Sequence, residues 1–227
     1  MSRILVCIPI KPGINPVLRR KCEFSAVQMS AANREHRIEV RFDSRPVEKL
    51  ATDARPWSRV ARARNRLLES VDLSAWDHLL WIDADVVSYP ADLPTRLLKA
   101  NPEGVTAPMV LVEGGKQFYD WAAFVEKGCD TIQPESRERI HPRNLRHEPP
   151  YWSHAPAETN VEMDCVGTIT MVPTWIYKLG IRYEDHPAFT DHYPICKTCR
   201  DAGRKVVVCR DVIAQHADLP KYGEEWH

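Results

Sequence analysis

The sequence predicts an α/β fold with a mostly parallel central sheet, and three observations carry that prediction. Short apolar runs of strand length at residues 4–10, 78–82 and 105–112 each stop at turn-forming residues. Between them lie longer stretches whose apolar residues recur at helical spacing. The two alternate through the first half of a 227-residue chain, which is the pattern of strands joined by helical crossovers.

Taken in order, residues 4–10 are a buried strand closed by Pro9, Pro12 and Gly13. Residues 16–33 read as a helix with Val17, Leu18, Phe24, Val27 and Met29 at its apolar positions. Residues 38–42 alternate apolar and charged, as a strand does, and Asp43-Ser44-Arg45-Pro46 then turns the chain. A second helix over 57–71 carries Val60, Ala61, Arg64, Leu67 and Leu68. The strand at 78–82 ends in Asp83-Ala84-Asp85, with a helix over 91–100 behind it and a strand over 105–112. Residues 114–156 break the alternation. Phe118, Tyr119, Trp121 and Phe124 precede a stretch rich in Pro, Arg and His, which reads as a long loop or lid with room for a hairpin. Periodicity returns with a strand over 165–172, a short helix over 174–179 closed by Gly180, and a helix over 190–202 closed by Gly203. Two strands, 206–209 and 212–216, end the pattern. Without a repeat or a linker, residues 1–227 read as one domain.

Composition narrows the function classes. At 44% hydrophobic and 27% charged the chain can bury a core, and 31 basic residues balance 31 acidic ones. No global field therefore favours nucleic acid or an anionic membrane. Residues 34–66 are locally basic, with nine Arg and one Lys. That suits a phosphate-bearing ligand, and a solvated helix face accounts for it equally well. Seven scattered cysteines suggest no disulfide framework, which points to a reducing compartment. The first apolar run is too short for a signal sequence or a membrane span. The expectation is a cytoplasmic chain with no transmembrane segment.

The chemistry concentrates at Leu79-Leu80-Trp81-Ile82-Asp83-Ala84-Asp85. A buried strand ending in two carboxylates places them at the carboxyl edge of the sheet, where open α/β sheets bind ligands. Hard divalent cations take carboxylate oxygens and keep positions for substrate phosphates. A strand-end turn is the plainer explanation of the same residues. Cys196 and Cys199 have the spacing of half a zinc site, but no second pair exists, so packing on a helix face explains them better.

The stretch Ala61-Arg62-Ala63-Arg64-Asn65-Arg66-Leu67-Leu68, one helix before the Asp-x-Asp strand, resembles glycosyltransferases of the GT-A (Rossmann-like) fold. Together with residues 80–90 and Gln117-Phe118-Tyr119-Asp120-Trp121, it is most similar to the fungal mannan-polymerase (Anp-type) mannosyltransferases. The resemblance runs from Ile4 to His216. It implies a nucleotide-diphosphate sugar as donor and a metal ion on Asp83, Asp85 and His216, manganese before magnesium because imidazole is in the set. It further implies Pro9 and Asp43 beside the nucleotide, with Arg64, and less so Arg62, toward the nucleotide or diphosphate. Asp164 and Gly167 belong to the segment that resembles the acceptor-side strand, where glycine allows close approach; a strand bulge is the alternative. Asp191, in Thr190-Asp191-His192-Tyr193, matches a degenerate form of the Glu-Asp segment. It is a catalytic base if the reaction inverts and a positioning group if it retains, and helix capping is its plain explanation. His141, His147 and His154 lie in the lid.

The implied reaction moves a hexose, with mannose the family-weighted choice, to a hydroxyl acceptor. The sequence as read shows no anchor or stem of the kind a Golgi enzyme carries, and the expectation is therefore a cytosolic enzyme of bacterial or phage type. A glycan, a lipid-linked sugar, a small metabolite or a modified nucleobase in DNA all remain as acceptors. Two rivals stand beside this reading. A nucleotidyltransferase would want a Gly-rich basic loop after the first strand, and Lys11-Pro12-Gly13 is sparse for that. A catalytically inactive GT-A domain acting as a partner subunit would not need Asp83, Asp85 and His216.

Overall fold

The computed structural model describes residues 1–51, 53, 57–115, 118–119, 123–128, 159–186 and 189–223. Its first half runs β1 (Arg3–Pro9), α1 (Pro16–Ala32), β2 (Arg37–Asp43), α2 (Trp57–Glu69), β3 (His78–Ile82), β4 (Val86–Ser88), α3 (Leu93–Ala100) and β5 (Val105–Val112). Then come β6 (Val125–Glu126), β7 (Asn160–Cys165), β8 (Ile169–Pro173), α4 (Thr174–Lys178), α5 (Tyr193–Asp201) and β9 (Val206–His216). Helix α1 starts where it does because the Asn15 side chain accepts from the Val17 N–H and Pro16 opens the first turn.

The strands form one open sheet in the order β2-β1-β3-β8-β5-β9-β7-β6, with β4 added on β9. Strands β2, β1, β3, β5 and β9 run in one direction, whereas β8 and β7 run against them. The sheet is thus mostly parallel in sense, with β8 inserted antiparallel between β3 and β5. Helices cover both faces, because successive side chains of a strand point to opposite sides. Leu5, Cys7, Leu79 and Trp81 pack with Ala61, Leu67 and Leu68 of α2 and with Ile176 and Tyr177 of α4. Ile4, Val6, Ile8, Leu80 and Ile82 pack with Cys22, Ala26 and Met29 of α1 and with Leu93 and Leu97 of α3. Burial on both faces is why these strands read as unbroken apolar runs.

Three local readings need correction. The strand expected over 165–172 is two strands, because the chain turns at Val166-Gly167-Thr168 and leaves β7 for β8 on the far side of β5. The strands expected at 206–209 and 212–216 are one, β9, with a bulge. Cys209 faces Pro108 and the next rung sets Ile213 against Met109. Pro108 has no N–H to give the ladder, so the break falls there. Strand β4 is too short to show a period. The lid expected over 114–156 lies mostly outside the described residues, as do Trp121, Cys129, His141, His147 and His154. Among the described residues no helix is long and apolar enough to cross a membrane.

Candidate functional site

At the carboxyl edge of the sheet the end of β3 presents two acids. Leu79, Leu80, Trp81 and Ile82 are fully buried, which fixes the strand beside β1. The chain then turns, with the Val86 N–H donating to the Asp83 carbonyl at 3.0 Å. The Asp83 and Asp85 side chains are 27% and 28% exposed, enough to meet a ligand. The end of β9 comes back to the same place. Val86 pairs with His216, and the Ala217 N–H donates to the Asp85 carbonyl at 2.8 Å.

His216 is buried, with Nε2 3.0 Å from Asp85 Oδ1. Its Nδ1 donates to the Ala217 carbonyl at 2.9 Å, which fixes the orientation of the ring and directs Nε2 at the acid. Tyr119 stacks on the imidazole, with centroids 3.6 Å apart and planes 10° from parallel. Burial opposes protonation of this ring and is the largest single influence, but the charge and hydrogen bond of Asp85, the Ala217 carbonyl and the charge of Asp83 together outweigh it, so the His216 pKa is raised.

Next to this pair lies a buried ion bridge. Arg64 on α2 is 2% exposed. Its Nη1 donates to Asp191 Oδ2 at 2.5 Å and its Nη2 to Asp83 Oδ1 at 2.6 Å. The guanidinium also lies over the Tyr183 ring, 5.4 Å from its centroid. Asp191 does not cap a helix: His192 holds the N-cap position of α5, and the Asp191 carboxylate is turned inward to Arg64. Burial raises the Asp191 pKa against the pull of Arg64. Asp83 is also raised, by desolvation first and then by the neighbouring Asp85 and Asp191 charges, with Arg64 opposing.

The other candidate residues divide into those at this edge and those committed elsewhere. Pro9 and Asp43 are register partners at the ends of β1 and β2. The Asp43 carboxylate, however, takes hydrogen bonds from the Arg45 backbone and side chain and from Arg66 Nε. Arg62 is paired with Asp53 and donates to the Glu48 carbonyl, so it braces the segment after β2. The basic stretch is therefore partly neutralised by its own acids. Asp164 is buried and paired with Arg200 of α5 at 3.2 Å. Gly167 sits in the turn between β7 and β8. Ile169 pairs with Ile82, so this turn lies beside Asp83.

Several residues of this region were not singled out in the sequence. Asn65 clamps the backbone of Tyr183 from both sides, donating to its carbonyl at 2.8 Å and accepting its N–H at 2.9 Å. Trp81 Nε1 donates to the Tyr177 hydroxyl, which is 2.7 Å from that of Tyr183, so a polar thread runs under Arg64. Thr168 has φ 54°, a left-handed conformation that is strained for a β-branched residue. Such contacts are long-range, and only the αL position could have been suspected, from the glycine before it. Cys196 and Cys199 are free and buried, Cys196 against the Val166 carbonyl and Cys199 against that of Lys205.

Among the described residues no three His, Cys, Asp or Glu groups are gathered closely enough to hold a metal ion. What the fold gathers is a two-donor pair, Asp85 with His216, while Asp83 gives one oxygen to Arg64. A divalent cation bound here would find a carboxylate oxygen and an imidazole whose other nitrogen is already committed, at a partly open edge. A metal shared with Asp83 would use the carboxylate oxygen that Arg64 leaves.

No protein-family model matches the sequence, and no curated protein matches it. Among solved structures, one similar chain is the "putative nucleotide-diphospho-sugar transferase" of Desulfovibrio desulfuricans G20, solved at 1.90 Å. It is 11% identical, the match covers 92% of this chain and 80% of that one, and the TM-score is 0.39.

Proposed function

We propose that this chain is a metal-dependent glycosyltransferase that moves a hexose from a nucleotide-diphosphate sugar to a hydroxyl acceptor. One observation carries the reading above the others. Two strand ends far apart in sequence meet at the carboxyl edge, Asp83-Ala84-Asp85 after β3 and His216 at the end of β9, with the imidazole 3.0 Å from the Asp85 carboxylate. That edge is where α/β sheets bind ligands.

In this reading Asp85 and His216, with the open oxygen of Asp83, hold manganese or, second, magnesium. Such an ion supplies Lewis acidity to a diphosphate leaving group. Asp83 and Asp191 are set by Arg64, which adds positive charge at the same edge. Asp191, buried against Arg64 behind the acceptor side, acts as base if the anomeric centre inverts, which requires Arg64 to release it, and as positioning group if the centre is retained. Pro9 and Asp43 border the nucleotide, with Asp43 reaching it through the arginines it holds. Asp164 and Gly167 shape the acceptor side. Mannose is the first donor sugar to try, on the resemblance to mannan-polymerase enzymes. The acceptor classes named from the sequence remain.

A thermal-shift panel of GDP, UDP, CDP, dTDP and their common sugars, with and without manganese, tests this, because a ligand that binds only the folded state raises the melting temperature. Stabilisation by one nucleotide, dependent on manganese and abolished in Asp85→Ala, supports the reading and names the donor. A folded protein indifferent to every nucleotide would refute it and favour the partner-subunit reading.

A further inference from the structure

We propose that β2 is a homodimer interface, pairing antiparallel with β2 of a second copy of this chain across a two-fold axis at Val40. Strand β2 is the last in the sheet and, among the described residues, has β1 as its one strand neighbour. The direction of its backbone groups is fixed at both ends. The Arg37 N–H donates to the Ser2 carbonyl at 2.9 Å, and the Asp43 carbonyl accepts from the Ile10 N–H at 2.8 Å. Backbone groups alternate along a strand, so residues 37, 39, 41 and 43 bond to β1. The N–H and C=O groups of Ile38, Val40 and Phe42 point away from the sheet.

The sequence Arg37-Ile38-Glu39-Val40-Arg41-Phe42-Asp43 is self-complementary about Val40. Laid antiparallel on itself at that centre, Val40 meets Val40 and Ile38 meets Phe42, and these are the residues whose backbone groups face outward to bond. The intervening rungs set Glu39 against Arg41 twice, as the close side-chain pairs of an antiparallel ladder. Sliding the register by one bonded rung in either direction sets Glu39 against Glu39 or Arg41 against Arg41. Charge therefore selects the same register that the backbone phase allows. Glu39 and Arg41 already lie 3.0 Å apart within one chain and remain about two-fifths exposed, available for exchange across the axis.

The helix beside this edge adds apolar surface on the same side. Phe24, Val27 and Phe42 are 63%, 67% and 41% exposed. A groove of about 360 Å³ between α1 and β2 is lined by Ala26, Val27, Ser30, Ala31, Val40 and Phe42. Long exposed edge strands are usually covered or blunted, and a continuous sheet through a two-fold axis covers both copies at once.

Sedimentation equilibrium and amide hydrogen exchange test the proposal on the wild-type chain. The expected result is a concentration-dependent dimer in which the amides of Ile38, Val40 and Phe42 exchange slowly and become fast on dilution. Glu39→Arg should weaken the dimer about tenfold by opposing like charges, and Glu39→Arg with Arg41→Glu should restore it. Val40→Pro removes an outward donor without touching the bonds to β1, so it should give a folded monomer. A wild-type chain that stays monomeric up to about 100 μM would overturn the proposal. So would a dimer indifferent to Val40→Pro, or one whose outward amides exchange freely, since either uses another face.

Discussion

Arg64 and Asp191, 127 residues apart in sequence, form a buried ion pair with Nη1 2.5 Å from Oδ2, and the same guanidinium holds Asp83 at 2.6 Å. One cation thus ties helix α2 to the acid at the end of β3 and to the segment entering α5. Removing it strands two carboxylates. Arg64→Met should lower unfolding stability by about 3–5 kcal/mol, the usual cost of breaking a buried pair by deleting one partner. Arg64→Lys should recover only part, because an ammonium cannot fork to two acids in this geometry. Urea unfolding of the three proteins checks both outcomes, and a loss below about 1 kcal/mol for Arg64→Met would show that the bridge does not brace the site.

The Asp85–His216 pair should separate binding from stability. Asp85 is more than a quarter exposed, so Asp85→Asn should cost no more than about 1 kcal/mol of folding stability. In the proposed reading it nonetheless removes manganese-dependent stabilisation by nucleotide. Thermal melts with and without manganese and nucleotide give both quantities on one sample, and a variant that keeps the manganese response would remove Asp85 from the ligand set.

Asp43 predicts an acid-side signature. Burial favours its neutral form, but hydrogen bonds from Arg45 and Arg66 outweigh burial and hold its pKa down at about 2, against 3.8 for an ordinary aspartate. A carboxylate with a lowered folded pKa contributes stability that is complete above its unfolded value. That contribution is lost as pH falls from about 4 through about 2. Asp43→Asn should therefore be less stable than wild type at pH 6, and the gap should close toward pH 2. Chemical denaturation across that range measures it, and a gap independent of pH would contradict the pairing.

Thr168 should tolerate glycine. Its φ of 54° costs a β-branched side chain strain that glycine does not feel, while glycine adds unfolded-state entropy. The two effects nearly cancel, so Thr168→Gly should change stability by less than about 1 kcal/mol, with any gain on the stabilising side. A larger loss in a denaturant melt would show that packing of the buried side chain outweighs the strain.

The sheet's apolar strands were legible because burial on both faces leaves unbroken runs such as Leu79-Leu80-Trp81-Ile82, and the acids that end that run mark the sheet edge. Strand β9 read as two pieces because Arg210 and Asp211 fall at its bulge, and the β7–β8 turn was hidden because apolar residues lie on both sides of Gly167. The Arg64–Asp191 pairing was beyond sequence reading. The helical spacing of Val60, Ala61, Arg64, Leu67 and Leu68 puts Arg64 on the apolar face, but nothing local names its partners, and Asp191 beside a helix start looks like a cap. Asn65 is the same kind of case, since its partner is the backbone of Tyr183, 118 residues away.

The most direct test of the central claim is manganese binding followed by electron paramagnetic resonance, where the signal of the free ion falls as the protein takes it up. The proposed function requires uptake that is strengthened by one nucleoside diphosphate and lost in both Asp85→Ala and His216→Ala, each checked for folding by circular dichroism. No uptake with any nucleotide, or uptake unchanged in both variants, would contradict it.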